Sequence, residues 1–331
     1  MHYFVLVFII ILILKNKMAH YSILNKADIL EILKPYSIFN IKKFQILDGG
    51  SENTNYKIDS EVGKIVLTIS EQKTIQEAQH LAELLDHLKK NNFDTSELVH
   101  TSQNKSLTMY KNKPVMVKRY LEGKIMSDVP MHLLNQIGAD TARLHKISVP
   151  DYVRDIMWCG KERFNEVKEY ALNSSFDLWL KDTHSYIEKN IASDLPKAFI
   201  HTDIFGSNII ISNDETKATI MDFEEATHYF RVFDIAVLFI SLCVKSGDID
   251  FTRASSILKS YTSVTKLTDE EKQALQPLTV YAAAGVAFWR HKNFNYTNPD
   301  DNLKDSYLSM KDLADKVRDL PSSYFKLLHD L

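Results

Sequence analysis

A chain of 331 residues is longer than one hydrophobic core usually serves, so two lobes or domains are expected. A formal net charge of −3 gives no broad basic face and argues against nucleic acid as the main partner. Cys159 and Cys243 are the only cysteines, with no CxxC pair and no histidine cluster at metal-ligand spacing; this excludes a disulfide framework and a structural zinc site and points to a reducing, cytoplasmic setting.

The most apolar run, YFVLVFIIILIL from Tyr3 to Leu14, comes first. It is shorter than the roughly twenty residues a membrane-spanning helix needs. Lys15 and Lys17 follow the run, whereas a secretory signal places its positive charge before it. Residues 1–17 are therefore expected to be an upstream extension from a misassigned start codon, ahead of a domain that begins near Met18; a membrane anchor is the alternative.

Apolar residues at helical spacing from Ile29 to Leu33 open that domain. From Lys42 the pattern changes to strands, with KKFQILDGGSENTNYKID and GKIVLTIS read as hairpins through Gly49–Gly50 and Gly63. TIQEAQHLAELLDHLKKNN then places Leu81, Leu84, Leu85 and Leu88 on one helix face. SLTMYKNKPVMVKRYLEG returns to strands, turning at Asn112–Lys113. MHLLNQIGADTARLHKIS predicts a helix with Leu133, Leu134, Ile137, Ala142 and Leu144 on its apolar positions. Most of the remaining chain is helix-like, including RVFDIAVLFISLCV, FTRASSILKSYTSV and EEKQALQPLTVYAAAGVAFWRHK. The expected division is a β-rich N-lobe over residues 18–121 and a mainly helical C-lobe over 122–331, an α+β protein.

One stretch departs from the helical pattern: HTDIFGSNIIISNDETKATIMDFEEA, His201 to Ala226. Its runs NIIIS and ATIMD, separated by the turn Asn213–Glu215, read as a tight hairpin with Asn208 at its entry and Asp222 at its exit. Both side chains then emerge at one end, near Asp203. Asparagine and aspartate are common in turns for their own sake. The order His-x-Asp-x-x-x-x-Asn, hairpin, Asp-Phe-Glu, with strands before and helices after, is far more specific. Hard oxygen ligands for magnesium and a carboxylate to orient an acceptor hydroxyl are what phosphoryl transfer needs.

This combination resembles the catalytic and metal-binding segments of the aminoglycoside phosphotransferase and choline kinase superfamily, relatives of protein kinases. GADTARLHKI resembles the helix leading into the C-lobe, and FDIAVLF the aspartate-containing helix after the metal loop. GGSENTNYKI, GKIVLTISE, YLEGK, LPKAFIHTDIFGSNIII and AAAGVAFW resemble type II homoserine kinases. The resemblance implies a bilobal protein-kinase-like fold and ATP- and magnesium-dependent phosphorylation of a hydroxyl on an amino acid or amino alcohol, with L-homoserine, in threonine biosynthesis, the foremost expectation. An aminoglycoside or choline/ethanolamine-type kinase is the enzymatic alternative, and a nucleotide-binding pseudokinase scaffold a further one.

Carried to matching positions, the resemblance makes Asp203 the base or positioning carboxylate and His201 a support for the loop. Asn208 and Asp222 would hold magnesium, Glu224 would reach a second metal, and Asp234 would hydrogen-bond the catalytic loop. In the nucleotide-binding N-lobe, Gly49, Gly50 and Ser51 would cover the phosphates through backbone N–H groups. Tyr120 and Leu121 would flank adenine. Thr68 stands where most kinases have a lysine; Lys64 shares its strand face by period two, and Glu77 and Glu83 are candidate partners for such a lysine. Phe288, Trp289, Arg290 and Lys292 would line the acceptor site, with Arg290 or Lys292 meeting a substrate carboxylate.

Overall fold

The computed structural model describes residues 22–47 and 53–330. The N-terminal apolar run and the loop residues Gly49, Gly50 and Ser51 lie outside the described residues. The chain forms two compact units: one of residues up to Gly123 together with Met221–Glu224, the other Lys124–Ile220 and Glu225–Leu331. Met221 and the DFE residues Asp222–Glu224 join the N-terminal unit.

In that unit, helix α1 (Lys26–Leu33) starts at Asn25, whose side chain accepts from the N–H groups of Ala27 and Asp28 while Asp28 reaches back to Asn25 N. Five strands follow in the spatial order β1-β2-β3-β5-β4, every neighbouring pair antiparallel: β1 (Ile41–Leu47), β2 (Asn53–Ser60), β3 (Gly63–Ser70), β4 (Thr108–Tyr110) and β5 (Lys113–Arg119). Alternation decides the faces. Tyr56 and Ile58 of β2, Ile65, Leu67 and Ile69 of β3, and Val115 and Val117 of β5 pack with Ile29 and Leu33 of α1 in one core cluster. The β4–β5 turn lies one residue earlier than expected, because Lys111 and Asn112 both adopt positive φ, 48° and 63°, and Lys113 already pairs with Tyr110. Helix α2 (Ile75–Lys90) buries the four predicted leucines together with Ala78 and Ala82.

The second unit is mainly helical. It contains α3 (Met131–Leu144), α4 (Val167–Ala171), α5 (Ser175–Asn190), α6 (Val232–Leu242), α7 (Phe251–Val264), α8 (Asp269–Lys292), α9 (Tyr307–Asp319) and α10 (Ser323–Asp330). Three strand pairs complete it: β6 (Lys197–Ile200) with β9 (Thr227–Phe230), β7 (Ile209–Ile211) with β8 (Ala218–Ile220), and β10 (Val244–Lys245) with β11 (Asp248–Ile249). Helix α6 is almost wholly buried, as a sequence apolar at every position but Asp234 and Ser241 requires. Helix α8 runs through Pro277, where the ring removes a backbone bond at a cost of roughly 3 kcal/mol. Leu275, Leu278 and Tyr281, all at most 1% exposed, offset it by burial.

Helices α3 and α7 meet closely at Gly138, where an added Cβ would stand 2.5 Å from the Ile257 carbonyl oxygen. Gly138→Ala should therefore destabilise the protein by about 1–3 kcal/mol through overpacking; urea unfolding at equilibrium measures the loss.

Candidate active site

The whole His201–Ala226 stretch is the connection between β6 and β9, whose last register pair is Ile200 with Thr227. Its first turn is fastened to α6. Asp234, fully buried, accepts from His201 N at 2.8 Å through Oδ2 and from Thr202 N at 2.7 Å through Oδ1, the contact expected of it. His145, which follows α3, places Nε2 3.1 Å from the same Oδ2, and its Nδ1 lies 2.8 Å from the Tyr261 hydroxyl on α7. Tyr261 donates to Nδ1 and Nε2–H donates to the carboxylate, which fixes the imidazole tautomer. Burial pushes the Tyr261 hydroxyl up, so it remains a donor.

Thr202 takes a left-handed backbone, φ 67°, and its hydroxyl donates to the Glu225 carbonyl at 2.9 Å. His201 is wholly buried and its Nδ1 accepts from Asp203 N at 3.2 Å, so the ring supports the turn from inside. Ser241 on α6 donates to Ile204 O at 2.8 Å. Asp203 then emerges half-buried. The Asn208 side-chain amide donates to its carboxylate at 2.7 Å and to its carbonyl at 2.9 Å. Both amide hydrogens of Asn208 are thus spent on Asp203, and its side-chain oxygen, a hard donor, is the atom left to meet a cation.

Asn208 precedes β7 and Asp222 follows β8, with Ile209 paired to Ile220, so the hairpin register is the expected one. Asp222 has φ 69°, a left-handed conformation unusual for a residue with a side chain, and is exposed. An asparagine oxygen and an aspartate carboxylate are each hard donors of the kind magnesium takes.

Within the β-rich unit, Thr68 is buried and its hydroxyl donates to Asn55 Oδ1 at 2.7 Å across the β2–β3 pair. Lys64 is exposed and paired with Glu122. Glu77 caps α2, accepting from Thr74 N at 2.8 Å, while Glu83 is exposed and accepts from Gln79 at 2.9 Å. Tyr120 is half-buried with the Lys57 ammonium 3.8 Å from its ring centroid, and Leu121 is half-buried beside it. Glu224, expected at a metal, has Lys73 Nζ 2.9 Å from Oε2 and the Asn53 amide 2.7 Å from Oε1. Lys57 and Lys73 were not singled out by the sequence, where each looks like an ordinary solvated lysine.

In the helical unit, α8 separates the residues expected at the acceptor. Phe288 is buried against Phe164, with ring centroids 5.5 Å apart. Trp289 meets Trp158 edge-on at 5.6 Å, and Lys292 Nζ pairs with Glu166 at 2.7 Å, a carboxylate that also takes Arg163. Arg290 instead donates to Ser306 O at 3.1 Å and Ser309 Oγ at 3.3 Å, and burial lowers its guanidinium to about 10. The segment Trp158–Arg163 was missed. Cys159 lies beside Gly285 of α8, and burial, reinforced by the negative charges of Asp203 and Glu225, pushes its thiol well up, which disfavours the reactive thiolate. Glu225 is itself paired with Arg154.

The family model described as the Phosphotransferase enzyme family matches residues 43–255, and the chain belongs to this family. It is a phosphotransferase that acts on a hydroxyl group of a small molecule. A homoserine kinase of Polaromonas naphthalenivorans strain CJ2 is 29% identical over 266 residues, covering 76% of this chain and 82% of the relative. A homoserine kinase of Brucella abortus strain S19 is 24% identical over 315 residues, covering 91% and 93%. Among solved structures, an amicoumacin kinase in complex with AMP-PNP and Ca2+ aligns with TM-score 0.70 at 15% identity, covering 91% of this chain and 97% of that one. A microcompartment-associated aminopropanol kinase aligns with TM-score 0.69 at 14% identity, covering 91% and 98%. These likenesses establish the protein-kinase-like fold.

Asp234→Ala leaves the donors of His201, Thr202 and His145 unmatched in a dry site. It should cost at least about 3 kcal/mol, given about 1–3 for each buried group left unsatisfied, and more than Asp234→Asn; equilibrium unfolding of the two variants checks the order. His291 on α8, stacked on Phe176 at 3.9 Å, is held by burial at about 4, below its ordinary 6.5. Its unfolded form binds a proton first as pH falls, so this contribution to stability is complete above about 6.5 and lost towards pH 4. His291→Phe should flatten that part of the stability–pH curve.

Proposed function

We propose that this chain transfers the γ-phosphoryl group of ATP to the hydroxyl of a small amino acid or amino alcohol, L-homoserine foremost, as a step of threonine biosynthesis in the cytoplasm. The observation that supports this most directly is the Asp203 carboxylate held by the Asn208 amide on a loop pinned to Asp234. A carboxylate so fixed accepts a hydrogen bond from the acceptor hydroxyl and aligns its oxygen with the γ-phosphorus. As the new P–O bond forms and the bond to the bridging oxygen of ADP breaks, Asp203 takes the hydroxyl proton. Asn208 and Asp222 are assigned to magnesium, which when bound offsets the phosphate charge. The loop Gly49 to Ser51 is assigned to the phosphates through its N–H groups, and Tyr120 and Leu121 to the adenine.

Homoserine as acceptor is supported by the names of the relatives that cover most of the chain. A homoserine carboxylate needs a cation, and Lys292 is better placed than Arg290: it shares Glu166 with Arg163, next to the segment that holds Cys159. Choline, ethanolamine, aminopropanol or an aminoglycoside would call for acidic groups instead, and the half-buried Glu225 is the residue to suspect.

ADP release with magnesium and ATP should rise with L-homoserine and not with choline, ethanolamine or aminoglycosides. Asp203→Asn and Asp222→Ala should each lower kcat by at least about a hundredfold, the scale of other single losses of transition-state stabilisation. A response confined to cationic acceptors would overturn the substrate, and near-normal turnover in either variant would overturn the site.

A further inference from the structure

The segment Met221–Glu224 groups with the β-rich unit although the chain on both sides of it belongs to the other. Two contacts account for this. Phe223 is 2% exposed and meets Phe93 edge-on, with centroids 5.8 Å apart. Glu224 is bound at both oxygens, by Lys73 at 2.9 Å and by Asn53 at 2.7 Å, and the Lys73 and Glu224 side chains are only 15% and 16% exposed. Both Glu224 oxygens are thus engaged within the β-rich unit, one by a lysine and one by an asparagine.

Lys73 stands on firm ground. It follows β3 and immediately precedes Thr74, the N-cap of α2, whose capping box with Glu77 fixes the backbone there. Two residues before it, Glu71 accepts from Thr54 at 2.6 Å and pairs with Lys113. Asn53 opens β2 and pairs in register with Ser70 at the end of β3. The pair therefore ties Glu224 to the ends of two sheet strands and the start of a helix. Asp222, two residues before Glu224, holds a positive φ of 69°, a conformation that persists only where its surroundings over-determine it. Phe223 and Glu224 are those surroundings on its C-terminal side.

We propose that Lys73 is a positioning residue for phosphoryl transfer: through Glu224 it holds the Asp222 carboxylate in the orientation that receives magnesium. Thr68, on the strand, is hydrogen-bonded to Asn55. A lysine after the strand is paired instead with the glutamate of the DFE segment. This rests on the assignment of Asp222 to magnesium.

The test is Mn2+ binding, followed by electron paramagnetic resonance in the presence of a non-hydrolysable ATP analogue, for wild type, Lys73→Met, Glu224→Gln, the double variant and Lys73→Arg. Each neutral single variant should weaken Mn2+ binding by about tenfold or more, the usual effect of losing a group that orients a ligand. The double should be no worse than the worse single, because the two residues act as one unit, and Lys73→Arg should recover most of the loss. Affinity for the analogue without metal, within about threefold of wild type, shows that the variants fold. The proposal fails if Lys73→Met binds Mn2+ like wild type, if Glu224→Gln alone is affected, or if the two losses multiply in the double. A wild type that binds no Mn2+ would instead defeat the magnesium assignment, and the proposal with it.

Discussion

A buried carboxylate is tolerated only where donors surround it, since an ionised group taken out of water without partners loses far more than any packing returns. Asp234 meets that condition with two backbone N–H groups and an imidazole, all reaching it in the interior of the helical unit. The arrangement runs in both directions. The donors make the charge permissible, and the charge in turn determines where the turn after β6 can lie. Because α6 is almost wholly buried and α3 and α7 supply His145 and Tyr261, three helices set the position of two peptide groups. Asp203 is the next residue along, so its backbone has little freedom left.

The Asp203 side chain is held separately. The Asn208 amide bonds to both its carboxylate and its carbonyl, which locks rotation about the side chain without neutralising its charge. One asparagine thereby orients an acidic group and turns its own oxygen the other way. Hairpin β7–β8 then pairs Ile209 with Ile220, its outer turn closed by the Ser212 and Lys217 backbone bond.

Much of this was legible because it rests on local pattern. The leucines of α2 and the apolar stripe of α3 follow the helical period and are buried as the period requires. The loop cluster was legible from spacing, since turn residues at the two ends of short apolar runs constrain each other. Thr68 shows where pattern stops: alternation located its strand face, but its hydroxyl is used by Asn55, thirteen residues earlier in the chain, a cross-strand pairing that only the register reveals. Lys73 and Glu224 are 151 residues apart and neither belongs to a periodic element that would mark it. Their pairing is a tertiary fact with no local signal.

The end of α8 shows the same limit at the scale of single residues. Successive positions on a helix are turned by about 100°, so Phe288, Trp289, Arg290, His291 and Lys292 cannot share one environment. Gly285, Trp289 and Lys292 form one stripe, against Cys159, Trp158 and Glu166. Arg290 is turned towards Ser306 and Ser309, and His291 towards Phe176 and Tyr307. Two cations two residues apart, equivalent by composition, are thus assigned opposite tasks by helix geometry: Arg290 joins α8 to the start of α9, while Lys292 stands on the stripe beside the segment that contains Cys159. The glycine at 285 is part of the same logic, because a Cβ there would crowd the Cys159 carbonyl at 3.1 Å. Which neighbours each of these cations meets is therefore decided by the helix stripe it occupies, a property set by the packing of α8 and not by the residue itself.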